Sequence, residues 1–92
     1  MPSTTRFQYI EMVERGKSPS GKTIIWDVYN RDNDSHLGDI SWYGKWRQYV
    51  FAPDETDILS AGCLKNIAVF LDDQNEKHRR KNFMEKLDKD EA

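Results

Sequence analysis

The sequence predicts an α+β protein, a four-stranded antiparallel β-meander with one C-terminal α-helix packed on one face, in the order ββββα. Three observations indicate this class. Segments rich in β-branched and aromatic residues fill the first half, polar turns separate them, and an apolar stripe of helical period follows Pro53. A length of 92 residues allows one domain with one modest core.

The first two strands are predicted over residues 5–14 and 22–30. The first carries apolar residues on both faces, and the second contains the β-branched and aromatic run around Trp26. Residues 16–21 contain glycine, proline and serine, which is typical of a loop.

The third and fourth strands are predicted over residues 36–43 and 46–51. Gly44-Lys45 fits a two-residue type II′ turn, which would pair Tyr43 with Trp46. The inner face of this hairpin would then hold Ile40, Trp42, Tyr49 and Phe51. The outer face would hold Asp39, Ser41, Tyr43, Trp46, Gln48 and Val50.

The helix is predicted to begin at Ala61, with Ser60 as its N-cap, and to end between residues 74 and 81. One stripe of helical period should pack on the sheet, and it consists of Leu64, Ile67, Ala68 and Leu71, with Cys63 and Phe70 widening it. Residues 1–76 would form the sheet-plus-helix domain. Residues 77–92 would form a charged helix extension or a disordered tail.

Charge and composition exclude several classes of protein. The net charge is −2 and the pI about 5.6, so no global field attracts nucleic acid or an anionic membrane. The chain has no apolar run of membrane-spanning length, and its first residues do not resemble a secretory signal. With a single cysteine it cannot form an internal disulfide, and we expect a cytoplasmic protein without a membrane partner.

The stretch Gly16-Lys17-Ser18-Pro19-Ser20-Gly21-Lys22-Thr23 matches the phosphate-loop pattern G-x-x-x-x-G-K-[ST]. That chemistry requires a helix to begin at the Lys-Thr pair, so that its amide groups face the phosphates. Residues 24–29 instead have the composition of a strand. We therefore interpret the stretch as a hairpin loop and expect no nucleotide hydrolysis.

Metal binding and catalysis have equally weak signatures. Asp32, Asp34, His36 and Asp39 crowd one turn, but the glycine and glutamate that a calcium loop needs are missing. Cys63 lies on the apolar edge of the helix, where cysteine is usually a small buried hydrophobe. We expect no catalytic, cofactor-binding or metal-binding residue, and hence no enzyme.

The densest aromatic stretch contains Tyr43 and Trp46, which the hairpin register directs away from the helix. Trp and Tyr are frequent anchors of protein interfaces, and aromatics interleaved with Arg also suit base stacking. The sequence therefore predicts a partner-binding set on the outer sheet face, consisting of Tyr29, Ser41, Tyr43, Lys45, Trp46 and Gln48.

Three segments of the chain resemble short uncharacterised proteins of bacteria and their prophages. They are Leu37-Gly38-x-Ile40-x-Trp42, Trp46-Arg47-x-Tyr49-x-Phe51-x-Pro53 and Leu64-x-x-Ile67-Ala68-x-Phe70-Leu71. No activity is established for that group, so the resemblance implies a phage or mobile-element source and assigns no catalytic residue.

Two functions follow as hypotheses. The first is a non-catalytic accessory protein that binds a host or phage protein, or a second copy of itself, through the outer sheet face. The alternative is a nucleic-acid-binding module that uses the sheet aromatics together with Lys17, Lys22, Lys45 and Arg47, against which the acidic pI argues. The basic run 77–81 is either a phosphate contact or a solvated helix end.

Overall fold

The structure, a computed structural model, consists of one antiparallel sheet and one helix. It describes residues 3–54 and 58–90, and the side chains of all of these except 82 and 84–90. The sheet has five strands in chain order, β1 (Thr4–Arg6), β2 (Ile10–Lys17), β3 (Ile24–Asn30), β4 (His36–Tyr43) and β5 (Gln48–Pro53), and helix α1 (Ala61–Asp90) follows them. The α+β class, the antiparallel sheet and the C-terminal helix are confirmed, but the sheet has five strands where four were predicted. No helix in the described ranges is apolar over enough of its length to cross a membrane.

The additional strand arises because the segment predicted as one strand over 5–14 reverses its direction. The Phe7 N–H donates to the Ile10 carbonyl at 2.8 Å and closes a tight turn, after which β2 pairs with β1. The apolar residues on both faces of this segment reflect the reversal. Phe7 packs edge to face on Phe70 with ring centroids 6.3 Å apart, while Ile10 and Met12 are fully buried in the core.

The β4–β5 connection is a four-residue loop over 44–47, so the predicted two-residue turn is wrong. Gly44 does not take the positive φ that a type II′ turn requires, and Arg47 instead takes a left-handed φ of 54°. Tyr43 consequently pairs with Gln48, and Trp46 lies in the loop. Because the register moves by an even number of residues, the predicted inner face stays together. It consists of Ile40, Trp42, Tyr49 and Phe51.

The face that α1 turns to the sheet is rotated from the predicted stripe. Cys63, Ile67 and Phe70 are buried, whereas Leu64 is 50 % exposed and Ala68 is also exposed. Edge-to-face packing of Phe70 on Trp26, with centroids 5.0 Å apart, draws this side of the helix inward. The full core combines both elements and consists of Ile10, Met12, Trp26, Val28, Leu37, Ile40, Tyr49, Cys63, Ile67 and Phe70.

The start of α1 is fixed by polar contacts. The Cys63 N–H donates to Ser60 Oγ at 3.2 Å, which confirms the predicted N-cap. The Tyr9 N–H donates to Asn66 Oδ1 at 3.3 Å, and a Cβ placed on Gly62 would lie 2.5 Å from the Tyr9 ring. The helix therefore begins in close contact with the β1–β2 turn.

Strand β5 forms one edge of the sheet, and two of its three outward N–H positions cannot donate to an added strand. The Tyr49 N–H points away from β4 and donates to Asn75 Oδ1 at 2.6 Å. Outward and inward groups alternate along an antiparallel strand, so residues 51 and 53 also face outward, and Pro53 has no N–H. Only Phe51 among these three positions presents an N–H at the edge.

Helix α1 continues beyond the sheet. His78 is the last residue that the described side chains show partly buried, and the helical backbone extends to Asp90. At 1.5 Å per residue, these last 12 residues add about 18 Å of helix. The side chains of Met84 and Leu87, and residues 91 and 92 of the expected tail, lie outside the described part of the chain.

The rotated helix face gives a test of the packing. Ile67→Ala should lower the free energy of unfolding by about 2–5 kcal/mol, because it removes a buried side chain and leaves a cavity. Leu64→Ala should cost less than about 1.5 kcal/mol, because half of that side chain is already in water. Urea unfolding of both variants measures the difference, and equal losses would show that the predicted stripe is the true contact face.

Candidate functional site

Two hairpin loops and the middle of α1 meet at one end of the sheet. We call this region, residues 17–23, 44–47 and 72–81, the hairpin end. The β2–β3 loop and the β4–β5 loop lie on the same side because strands alternate in direction in a meander. Helix α1 starts at the opposite end, beside Tyr9, and reaches both loops by its fourth turn.

A cleft of about 800 Å³, which we call the hairpin cleft, lies between the β4–β5 loop and α1. Within it the Trp42 and His78 rings stack with centroids 4.2 Å apart and planes inclined by 37°. The cleft carries two arginines and two carboxylates, so its charge is balanced. Its lining consists of Trp42, Trp46, Arg47, Gln48, Asp72, Asn75, Glu76, His78 and Arg79.

Trp46 is the most exposed aromatic residue among those with described side chains, with 67 % of its surface in water. Its ring stands perpendicular to that of Tyr43, with centroids 5.0 Å apart. Lys45 and Gln48, also predicted for partner binding, are exposed on either side of it. The structure thus gathers four of the six predicted binding residues in or directly beside the β4–β5 loop of the hairpin end, namely Tyr43, Lys45, Trp46 and Gln48.

The other two predicted binding residues lie farther along the sheet. Tyr29 and Ser41 are half-buried on the outer face, and the Tyr29 ring packs on His36 with centroids 5.3 Å apart. The six residues therefore do not form one continuous patch.

A second, smaller groove of about 230 Å³ adjoins the hairpin cleft. Lys22 enters it from the β2–β3 loop, and Lys77 and Lys81 enter it from α1. Lys77 also bonds Asp73 at 3.1 Å. We call this the lysine groove, and its lining consists of Lys22, Ile24, Tyr49, Gln74, Lys77, His78 and Lys81. His78 lines both depressions, so they are neighbours.

The same loop carries the phosphate-loop sequence pattern. Residues 16–23 join β2 to β3, and a strand begins at Ile24 where the phosphate-binding fold needs a helix. Lys22 therefore faces helix α1 across a groove and does not lie at the start of a helix.

Positive charge is concentrated at the hairpin end. This region carries eight lysines and arginines against three acids, an excess of five positive charges, and the rest of the chain carries an excess of seven negative charges. The cations are Lys17, Lys22, Lys45, Arg47, Lys77, Arg79, Arg80 and Lys81, and the acids are Asp72, Asp73 and Glu76. The charge balance of the whole chain conceals this separation.

A network of charged side chains occupies the outer face of the sheet. The Arg15 guanidinium donates to the carboxylates of both Asp27 and Asp39, which lie opposite each other on β3 and β4. His36 Nδ1 lies 2.7 Å from Asp54 Oδ2, and its Nε2 lies 3.0 Å from Asp27 Oδ1. The network joins strands β2, β3 and β4 to the residue that follows β5.

Asp27, His36 and Asp39 present ligand atoms within 4.8 Å of one another, a spacing that a metal ion could use. Arg15 already supplies positive charge to both carboxylates, so the network accounts for the cluster without an ion. Asp32 and Asp34, which crowd His36 in sequence, lie in the β3–β4 turn outside this group.

The network lowers the pKa of Asp27 and raises the pKa of His36. The hydrogen bond from Arg15 lowers the pKa of Asp27 to about 2. The hydrogen bond to Asp54, followed in size by the opposing effect of burial and then by the bond to Asp27, raises the pKa of His36. A ring that donates from both nitrogens is an imidazolium, which explains the direction.

Sequence reasoning did not identify Arg15, Asp27, Asp54 or Asn75 as parts of these sites, and it named His78 only as a member of the basic run 77–81. The first three meet only when the strand register is known, because they come from three separate segments. For His78 a signal was present, since it continues the helical spacing of Ile67, Phe70 and Gln74.

Protonated His36 should stabilise the fold at low pH. Because its pKa is higher in the folded state than the ordinary 6.5, this contribution is complete below pH 6.5 and is lost as the pH rises through the folded-state value. The stability advantage of wild type over His36→Asn should therefore shrink between pH 6 and pH 9, by at most about 1 kcal/mol because the pair is partly exposed. Urea unfolding at each pH measures it, with Asp54→Asn as a variant that reduces the effect. A difference that grows with pH would contradict the assignment.

Comparison with known proteins gives one relationship by sequence. The chain is 30 % identical over 78 residues to an uncharacterized 9.3 kDa protein of Acholeplasma phage L2, and the alignment covers 85 % of this chain and 95 % of the phage protein. No protein-family model and no solved structure matches the chain. The expected relationship to short uncharacterised phage proteins is confirmed. The chain belongs to the family of this phage protein.

Proposed function

We propose that the protein is a small, non-catalytic, nucleic-acid-binding module of phage or mobile-element type, and that the hairpin end is its binding surface. One observation carries the proposal, namely the excess of five positive charges that the fold gathers beside exposed aromatic rings. Phosphate contacts by Lys and Arg supply most of the affinity of non-specific nucleic-acid binding.

The acidic pI is compatible with nucleic-acid binding, because the acidic and basic residues lie in different parts of the fold. The acidic β3–β4 turn lies at the other end of β4, an eight-residue strand that spans about 26 Å. Charges are screened over about 8 Å at physiological ionic strength. A phosphate at the hairpin end therefore experiences mainly the local lysines and arginines.

The available reactive groups support a non-catalytic role. The single cysteine, Cys63, is buried, and both ring nitrogens of His36 are engaged by carboxylates. Since Cys63 is a free thiol, the proposal places the protein in the reducing cytoplasm, where nucleic acid is also available.

Binding of a labelled oligonucleotide should depend steeply on salt. If three or four phosphates are contacted, the affinity for a mixed-sequence single strand should fall about 20- to 50-fold between 50 and 200 mM salt, at a slope of about −0.7 per contact. Fluorescence anisotropy measures it. Lys81→Gln should weaken binding and reduce the slope by about 0.7.

Lys65→Gln is the matched control, because Lys65 is an exposed lysine at the start of α1, far from the hairpin end. It should bind like wild type. Absence of binding at 50 mM salt, or equal losses in the Lys65 and Lys81 variants, would contradict the proposal.

A protein partner is the second candidate, and the exposed Tyr43–Trp46 pair favours it. Trp and Tyr are typical anchors of protein interfaces, and both members of this pair are exposed. The contact would lie at the hairpin end, because the centre of the outer sheet face holds the charge-compensated network of Arg15, Asp27 and His36.

If a protein is the partner, its capture from lysate should survive nuclease treatment. Trp46→Ala should abolish the capture, since a central aromatic anchor contributes at least about 2 kcal/mol. Ile58→Ala removes a comparably exposed apolar side chain near the start of α1 and should have no effect. Capture that nuclease abolishes would instead support the first candidate.

A further inference from the structure

Building on the proposed function, we infer that the ligand is single-stranded, and that one nucleotide places its base in the hairpin cleft and its phosphate in the lysine groove. The two depressions differ in chemistry, adjoin each other at His78, and match the two halves of a nucleotide.

The hairpin cleft has the composition of a base site. Trp46 offers an exposed indole face, and the stacked Trp42 and His78 rings line the same cleft. Carboxylates and side-chain amides, the groups that bond the edges of bases, also line it, at Gln48 and Asp72 among others. Its two carboxylates balance its two arginines, which disfavours a phosphate there and is compatible with a neutral base.

The lysine groove has the composition of a phosphate site. Lys22, Lys77 and Lys81 converge on it from two elements, and Asp73 offsets only one of them. Its volume of about 230 Å³ admits a phosphate group. Lys22, the lysine of the phosphate-loop pattern, thus contributes charge without the backbone cradle of that motif.

The aromatic contact requires an unpaired base. Bases inside a duplex are stacked on each other, so their faces are closed to an indole such as Trp46. A single strand exposes them, and stacking on aromatic side chains tolerates any sequence. A free nucleotide offers the same base and phosphate. Arg79 at the border of the cleft and Arg80, which also bonds Glu76 at 2.6 Å, favour a strand whose neighbouring phosphates reach them.

Anisotropy with four probes separates these ligands: a labelled mixed-sequence 12-nucleotide strand, the same strand with abasic sites, the corresponding duplex, and an unlabelled mononucleotide as competitor. The strand should bind about 5- to 150-fold more tightly than its abasic form, which is the range of one stacked base. Trp46→Ala should lower the affinity for the strand to that of the abasic form and leave abasic binding unchanged. Trp46→Phe should restore most of the loss, and Lys81→Gln should weaken both forms equally.

Each outcome decides a different claim. If strand, abasic strand and duplex bind equally and Trp46→Ala changes nothing, the inference fails while the proposed function stands. If no probe binds, the proposed function fails. If the mononucleotide displaces the labelled strand at a concentration equal to that of the unlabelled strand, the site binds a free nucleotide, and the inference that its ligand is a strand is wrong. Thermal melts keep the test valid, since Trp46→Ala removes a mostly exposed side chain and should leave the melting temperature near wild type.

Discussion

The packing of α1 on the sheet depends on Trp26. Its ring meets Phe70 of the helix edge to face, with centroids 5.0 Å apart, and meets Tyr49 of β5 at 5.4 Å. The series continues from Tyr49 to Trp42 at 5.4 Å, and from Trp42 back to the helix at His78. Phe70 and His78, eight residues apart on α1, are thus both packed against aromatic rings of the sheet. This packing sets the positions of the hairpin cleft and the lysine groove.

Local patterns were sufficient for the fold class but not for register. The β-branched run around Trp26 and the Ser60 cap predict elements that exist, because each depends on neighbouring residues only. The predicted hairpin register is wrong by two residues. Hydrophobic alternation could not reveal this error, because an even shift leaves the paired strand residues on their predicted faces. The helix face was misplaced because two apolar stripes overlap on α1, and only the contact of Phe70 with Trp26 selects between them.

The aromatic and basic residues of the candidate site were named from the sequence, but their assembly at one end of the sheet was not predictable. The exposure of Tyr43 follows from strand alternation, whereas Trp46 is exposed because it lies in the β4–β5 loop and not, as predicted, on a strand. The positive end could not be predicted from net charge, which sums over residues that the meander sends to opposite ends. Arg15, Asp27 and His36 likewise form a network only after three strands pair, so neither residue spacing nor composition reveals it.

The β5 edge is poorly suited to pairing with a strand of another chain. A strand added to a sheet needs a donor and an acceptor at every second residue, and on β5 the donor at Tyr49 is taken by Asn75 while Pro53 has none. Addition of a strand at the β5 edge, as in a fibril or a strand-exchanged aggregate, would therefore lack a regular ladder from the first added strand. The aromatic rings beside this edge can therefore stay open to a ligand at high protein concentration without the neighbouring backbone recruiting further chains.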